Sequence, residues 1–227
     1  MCGRFTLRSP GRIRFDGVRN SHLPSLAPRY NIAPSQEVLT VTESQGRREL
    51  SLFLWGLIPS WSKEPKGFIN ARSETLEQKP SFSESFQNRR CLIPADGFYE
   101  WKRNGKSKQP YYFQLKDETP FAFAGIWDEW QKEGVSITSC SIVTTTPNEL
   151  LATIHDRMPV ILHPEAQDVW LRNDSELIEL KRFLIPFPAS AMKSYPVSQQ
   201  VNHAQAENAQ LVEPIDLSEE VTNLTLF

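Results

Sequence analysis

The second residue of the chain, Cys2, is where unusual chemistry first comes within reach. A methionine preceding a residue this small is a substrate for aminopeptidase trimming. With Met1 gone, Cys2 carries two nucleophiles on one α-carbon: an α-amine of ordinary pKa about 7.7–8.0 and a thiol near about 8.5. Such an amine attacks an aldehyde near neutral pH, and the thiol then adds to the imine and closes a five-membered thiazolidine. No other position in a chain offers this 1,2-aminothiol. A lone terminal cysteine can equally be incidental, so the reading depends on what the rest of the chain supplies. Asn70-Ala71-Arg72 sets an amide that can donate and accept beside a guanidinium suited to phosphate. Asp96-Gly97-Phe98-Tyr99-Glu100-Trp101 sets a carboxylate among aromatics, where burial would raise its pKa and fit it for proton transfer. His155-Asp156-Arg157 joins a titratable imidazole to a carboxylate and an arginine.

Each group has a plainer alternative. Asn70 could cap a helix, and Glu100 could be the solvent-facing residue of an alternating strand. His155 could bond a backbone carbonyl, Arg157 could be a neighbour's salt-bridge partner, and Trp61 and Trp101 could be packing residues. No spacing fits a zinc signature, a P-loop or a GxSxG elbow, and no metal or organic cofactor is called for.

The elements that must position these residues are short. Ser9-Pro10 opens a helix candidate ending near Gly17. Residues 37–42 and 49–55 form a predicted hairpin across Ser44-Gln45-Gly46. Short helices follow near 74–78 and 82–89, then strands at 90–94 and 98–102. Asn104-Gly105 turns the second strand back into 110–115. Residues 121–127 and 137–145 read as a further antiparallel pair. Thr146-Pro147-Asn148-Glu149 starts a helix reaching Ile154, and 160–162 is a strand. Helices at 164–171 and 175–184 precede a short strand at 195–197. There is no regular βαβ alternation, repeat or linker. The fold class is α+β: one domain over residues 1–216, mainly antiparallel sheets curled into a sandwich or open barrel with short flanking helices. Residues 217–227 read as an acidic tail.

A chain of 227 residues can bury a sizeable core. No apolar run reaches membrane-spanning length and no signal peptide opens the sequence, so the expectation is cytoplasmic residence with no membrane partner; the chain is also expected to be a monomer. Cys2, Cys91 and Cys140 are too few and too scattered for a disulfide framework or zinc site. A net charge of −2 argues against a protein that coats duplex DNA. Yet the first thirty residues hold Arg4, Arg8, Arg12, Arg14, Arg19 and Arg29 against Asp16 alone, which leaves room for a local anion-binding groove.

Six segments, in order, resemble one family: Met1-Cys2-Gly3-Arg4-Phe5, Tyr30-Asn31-Ile32-Ala33-Pro34, Trp55-Gly56-Leu57-Ile58-Pro59, Asn70-Ala71-Arg72-Ser73-Glu74, Gly97-Phe98-Tyr99-Glu100-Trp101 and Ile154-His155-Asp156-Arg157-Met158-Pro159. They are similar to the SOS response-associated peptidase family, which cross-links abasic sites in single-stranded DNA through an N-terminal cysteine and is also described as autoproteolytic. The resemblance implies that Cys2 is the nucleophile, Asn70 holds its amine, Glu100 handles protons, and His155 helps open the abasic sugar. It further implies that Arg4, Arg72 and Arg157 contact phosphates or line the site and that Trp61 stacks near the DNA, with Arg89 in a similar role. The family often carries two consecutive tryptophans where this chain has Trp61-Ser62, a departure that bears on base stacking and leaves the covalent chemistry intact. The partner implied is single-stranded DNA containing abasic sites, in the response to DNA damage. Two other functions fit an N-terminal cysteine less closely: a cysteine-type peptidase, and a non-covalent reader of modified bases.

Overall fold

The computed structural model describes residues 2–14, 18, 26–105 and 107–217. β-branched and aromatic alternation makes strands the larger share of the regular structure. In chain order they are β1 (Arg4–Leu7), β2 (Arg29–Ile32), β3 (Glu37–Ser44), β4 (Arg47–Trp55), β5 (Asn70–Arg72), β6 (Arg90–Ala95) and β7 (Gly97–Asn104). There follow β8 (Ser107–Leu115), β9 (Phe121–Lys132), β10 (Val135–Thr145), β11 (Met158–Pro159), β12 (Ile161–Leu162) and β13 (Met192–Pro196). The helices are α1 (Ser83–Asn88), α2 (Glu149–Ala152), α3 (Pro164–Leu171) and α4 (Leu177–Arg182).

One sheet has the order β13-β8-β7-β1-β2, and the other runs β11-β10-β4-β3-β6-β9-β12. Because β10 pairs with β9 as well as with β4, the strands β10, β4, β3, β6 and β9 close into a five-stranded barrel. The predicted α+β arrangement of mainly antiparallel sheet is observed, with the curling carried through to closure. Closure leaves those strands without free edges.

β1 joins the two layers. It lies between β2 and β7, with Arg4 opposite Tyr99, Phe5 opposite Phe98 and Thr6 opposite Gly97. Phe5 is buried and meets Trp55 edge-on at 5.1 Å and Phe123 at 5.7 Å. A buried aromatic of this kind typically costs about 3–5 kcal/mol to truncate. The far end of β1 is tied to the buried Asp96 carboxylate. Thr6 Oγ1 donates to it at 2.6 Å, and the amides of Arg8 and Ser9 at 2.6 and 2.9 Å. Gly97 allows this packing, since a Cβ there would lie 2.0 Å from the Tyr112 hydroxyl, which itself bonds Thr6.

β4 and β5 share one track. β4 pairs in parallel with β10 through Trp55 opposite Cys140, and β5 resumes with Asn70 opposite Ile142. The residues between form an excursion closed at its neck by reciprocal amide–carbonyl bonds of Leu57 and Phe68, 3.0 and 2.9 Å long. A Cβ on Gly67 would meet the Gly56 carbonyl oxygen at 2.3 Å, so the two backbones touch. The Trp55 indole donates to the Ile69 carbonyl at 2.9 Å and fixes the return.

The segment after β13 packs across β1 and β2. Asn31 Nδ2 donates to the carbonyls of Val201, His203 and Ala206, and Val201 and Leu211 are buried with Tyr99 and Tyr112.

The predicted hairpins at 37–55 and 98–115 are present, as is the pair 121–145. The helix predicted from Ser9-Pro10 is a 3-10 turn, Pro10–Arg12, and its expected end at 15–17 lies outside the described residues. The helix predicted from Thr146 starts at Glu149, because Asn148 is the cap and its Oδ1 accepts from the Leu151 amide. The one predicted from Ser175 starts at Leu177. Residues 218–227 of the predicted acidic tail also lie outside the described set.

Candidate active site

The antiparallel register of β1 and β7 governs the site. Arg4 stands opposite Tyr99, so continuing each strand by one residue brings Glu100 to the end that carries Cys2. On the other flank, Asn70 begins β5 and donates from Nδ2 to the Cys2 carbonyl at 2.9 Å. The backbone of Cys2 is thus held by a side chain 68 positions away, delivered by the excursion between β4 and β5. Among the described residues Asn70 Oδ1 is buried and accepts no hydrogen bond, which leaves it ready for a donor.

Cys2 is fully buried, and burial pushes its thiol well above its ordinary pKa, with the Glu100 charge adding to the effect. Glu100 is 2% exposed, and burial raises its carboxyl to about 7. A carboxyl poised there exchanges protons readily at neutral pH.

Glu100 lies on the wall of an open cleft of about 420 Å³ lined also by Arg4, Trp101, Arg103, Lys108, His155 and Asn202. His155 comes from the turn after α2. Its Nδ1 accepts from the Arg157 amide at 3.0 Å, and an Asp156 carboxylate oxygen lies at the same distance. The two partners compete. Burial, reinforced by nearby positive charge that includes Arg103, pulls the imidazole below its ordinary pKa. The neutral ring therefore accepts from the amide and keeps its proton on Nε2, whereas protonation would favour Asp156.

Cys2, Asn70, Glu100 and His155 thus converge from four separate stretches. The predicted DNA contacts divide. Arg4 lines the cleft but already donates to Asn31 Oδ1 at 2.8 Å and to the Val201 carbonyl at 2.7 Å. Arg72 is exposed at the end of β5. Arg157 is buried in a two-point pair with Glu74, with one contact at 2.9 Å, and donates to the Thr144 carbonyl. That pair holds the Glu74 carboxyl below its usual range. Arg89 pairs with the buried Asp128 at 3.3 Å and with Glu84 at 3.6 Å. Trp61 is 64% exposed and lines a separate groove of about 390 Å³ with Pro59, Lys63, Lys66 and Phe68.

Arg103, Lys108 and Asn202 were not singled out from the sequence. The basic character of the Asn104-Gly105 hairpin was visible, but nothing local tied it to Cys2. Asn202 enters through its neighbour Trp101, whose indole donates to Asn202 Oδ1 at 2.7 Å. Among the described residues no group of three or more His, Cys, Asp or Glu side chains could hold a metal ion, and no helix is long and apolar enough to cross a membrane.

The architecture is shared with a solved structure from Bacteroides thetaiotaomicron, which superposes with a TM-score of 0.82 at 28% identity, covering 95% of this chain and 100% of that one. The family model described as SOS response associated peptidase (SRAP) matches residues 1–204, and the chain belongs to that family. It is 44% identical over 226 residues to the abasic site processing protein YoqW of Bacillus subtilis, spanning 94% of this chain and 99% of that one. It is 33% identical over 224 residues to the abasic site processing protein YedK of Escherichia coli, spanning 95% and 100%.

Proposed function

We propose that the chain acts in the cytoplasm and captures abasic sites in single-stranded DNA by forming a thiazolidine at Cys2 after Met1 is removed. The observation that carries this reading is the hydrogen bond from Asn70 to the Cys2 backbone beside the buried Glu100. The abasic sugar is mostly a closed hemiacetal. His155 assists proton transfer at its ring oxygen and releases the aldehyde. The Cys2 amine adds to the aldehyde carbon, and the carbinolamine loses water to give the imine, with Glu100 moving the protons. The Cys2 thiol then adds across C=N, its proton passes to nitrogen, and one water has been released overall. A raised thiol pKa suits this order, because the amine acts first and the thiol is deprotonated only as it closes the ring.

An imine alone hydrolyses, or loses the 3′-phosphate by elimination after a C2′ proton is removed. Thiol closure is what separates stable capture from lyase-like strand cleavage. Removal of Met1 is a prerequisite, since until then the Cys2 nitrogen is an amide. Autopeptidase chemistry at this bond would supply the same free amine. Trp61 and Phe68 offer stacking surfaces for unpaired bases, and Arg72 an exposed phosphate contact. Arg89 and Arg157 serve by holding their acidic partners in place.

The test is incubation of the purified, Met1-free chain with an oligonucleotide carrying one abasic site, read by denaturing gel. A heat-stable adduct is expected. Cys2→Ala keeps an amine and loses the thiol, so it should give no stable adduct and should nick the strand instead. Wild-type adduct yield from Cys2→Ala would overturn the reading.

A further inference from the structure

Two cations at the cleft are placed in a way that the fold does not require. Arg103 on β7 and Lys108 on β8 stand directly opposite each other in the hairpin register. Like charges so opposed destabilise a sheet. Both are exposed, and neither has an acidic partner among the described residues. Arg4, by contrast, is already occupied by Asn31 and by backbone carbonyls. The cleft cations not already committed to protein hydrogen bonds among the described residues are therefore Arg103 and Lys108 on one hairpin, and Glu100 and His155 line the same cleft.

A DNA phosphodiester carries one negative charge, whereas a terminal phosphate monoester carries about 1.5–2 at neutral pH. Two adjacent cations match the monoester better. The volume of about 420 Å³ also falls within the range of small-ligand sites. We infer that the cleft captures free phosphorylated aldehydes of small-sugar size, with Arg103 and Lys108 holding the phosphate and Cys2 forming the thiazolidine. The inference rests on the assignment of Cys2 as an N-terminal aminothiol nucleophile. The chemistry balances as for DNA: the amine adds to the aldehyde, one water leaves, and the thiol closes the ring with its proton passing to nitrogen. No oxidant or reductant is needed. The substrate class would come from reactions that release sugar phosphates carrying a free aldehyde, and DNA strand breakdown is one chemically suitable source.

The experiment uses the Met1-free full chain with 2-deoxyribose 5-phosphate or 2-deoxyribose, followed by intact mass. Cross-linking to an abasic oligonucleotide runs in parallel. The expected adduct weighs the aldehyde less one water, forms about tenfold faster with the phosphate, and loses that advantage as salt rises. In Arg103→Gln/Lys108→Gln the ratio between the two aldehydes should fall toward one, and Arg103→Lys/Lys108→Arg should restore it. Cys2→Ser should form no stable adduct. Equal rates with both aldehydes, or a preference that persists in the double glutamine variant, overturns the inference. Failure of both aldehydes while the oligonucleotide cross-links overturns it and leaves the DNA reading standing. Failure of all three removes both together.

Discussion

Glu100 stands in an environment that its residue type would not suggest. It lies on a strand whose sequence alternates, yet it is buried, and burial pushes its carboxyl up to about 7. Between about pH 4.5 and 7 the folded chain holds a proton on Glu100 that the unfolded chain has released. Stability therefore declines as pH rises through that window and is level above it. Glu100→Gln is neutral throughout. It should exceed the parent in urea denaturation at pH 8 by up to about 3 kcal/mol and converge with it by pH 4. A gap of the same size at both pH values would show that the carboxyl is not held protonated. The same substitution should slow adduct formation about 100-fold or more and abolish the inflection near pH 7 in the rate profile. Single-turnover rates from pH 5.5 to 8.5 measure this. His155→Ala should slow capture of the closed abasic sugar by a similar factor, while an oligonucleotide bearing a plain aldehyde, which needs no ring opening, should be affected less.

At the scale of elements, β1 is held at both ends by side chains that come from elsewhere. Asn70 holds the Cys2 end, and Asp96 the other, through Thr6 and the amides of Arg8 and Ser9. Asp96→Ala leaves these donors without their buried acceptor and should cost about 2–4 kcal/mol. It should also slow adduct formation at temperatures where the variant is fully folded, because the register of β1 sets where Cys2 sits. A loss below about 1 kcal/mol in urea denaturation would mean that β2 and β7 alone fix the strand. The hairpins were readable in the sequence because their signals are local: β-branched alternation on both sides of Gln45-Gly46 or Asn104-Gly105. The parallel pairings of β4 and β5 with β10 were not, since their partners stand some seventy or more positions away and no turn links them. Closure of the barrel depends on those pairings, which is why the sequence led only as far as a curled sheet. Cys2, Asn70, Glu100 and His155 were legible through the family resemblance. Their own surroundings left the plainer alternatives open, and the burial of Glu100 in particular came from packing that alternation cannot reveal.

For the molecule as a whole, the strand that follows Cys2 and the C-terminal segment are one structure. The family match ends at residue 204, yet the buried core continues to Leu211. Leu211 is fully buried with Tyr99 and Tyr112, the Tyr99 hydroxyl donates to the Tyr30 carbonyl at 2.7 Å, and Tyr99 sits opposite Arg4. Asn31 gathers three carbonyls of the same segment while accepting from Arg4. Loosening the segment therefore releases β1 and β2 as well as the Asn202 wall of the cleft. Leu211→Ala should cost about 2–4 kcal/mol through the cavity it leaves. In a chain of this size that corresponds to a melting point lower by about 5–10 °C. The loss should reach the chemistry. Amide exchange at Arg4–Leu7 should accelerate in the variant, although Leu211 is some two hundred positions away, while exchange in the barrel strands β3 and β6 stays slow. Faster exchange confined to residues after 198 would instead make the segment a passive cover, and β1 would then owe its order to Asp96 and Asn70 alone.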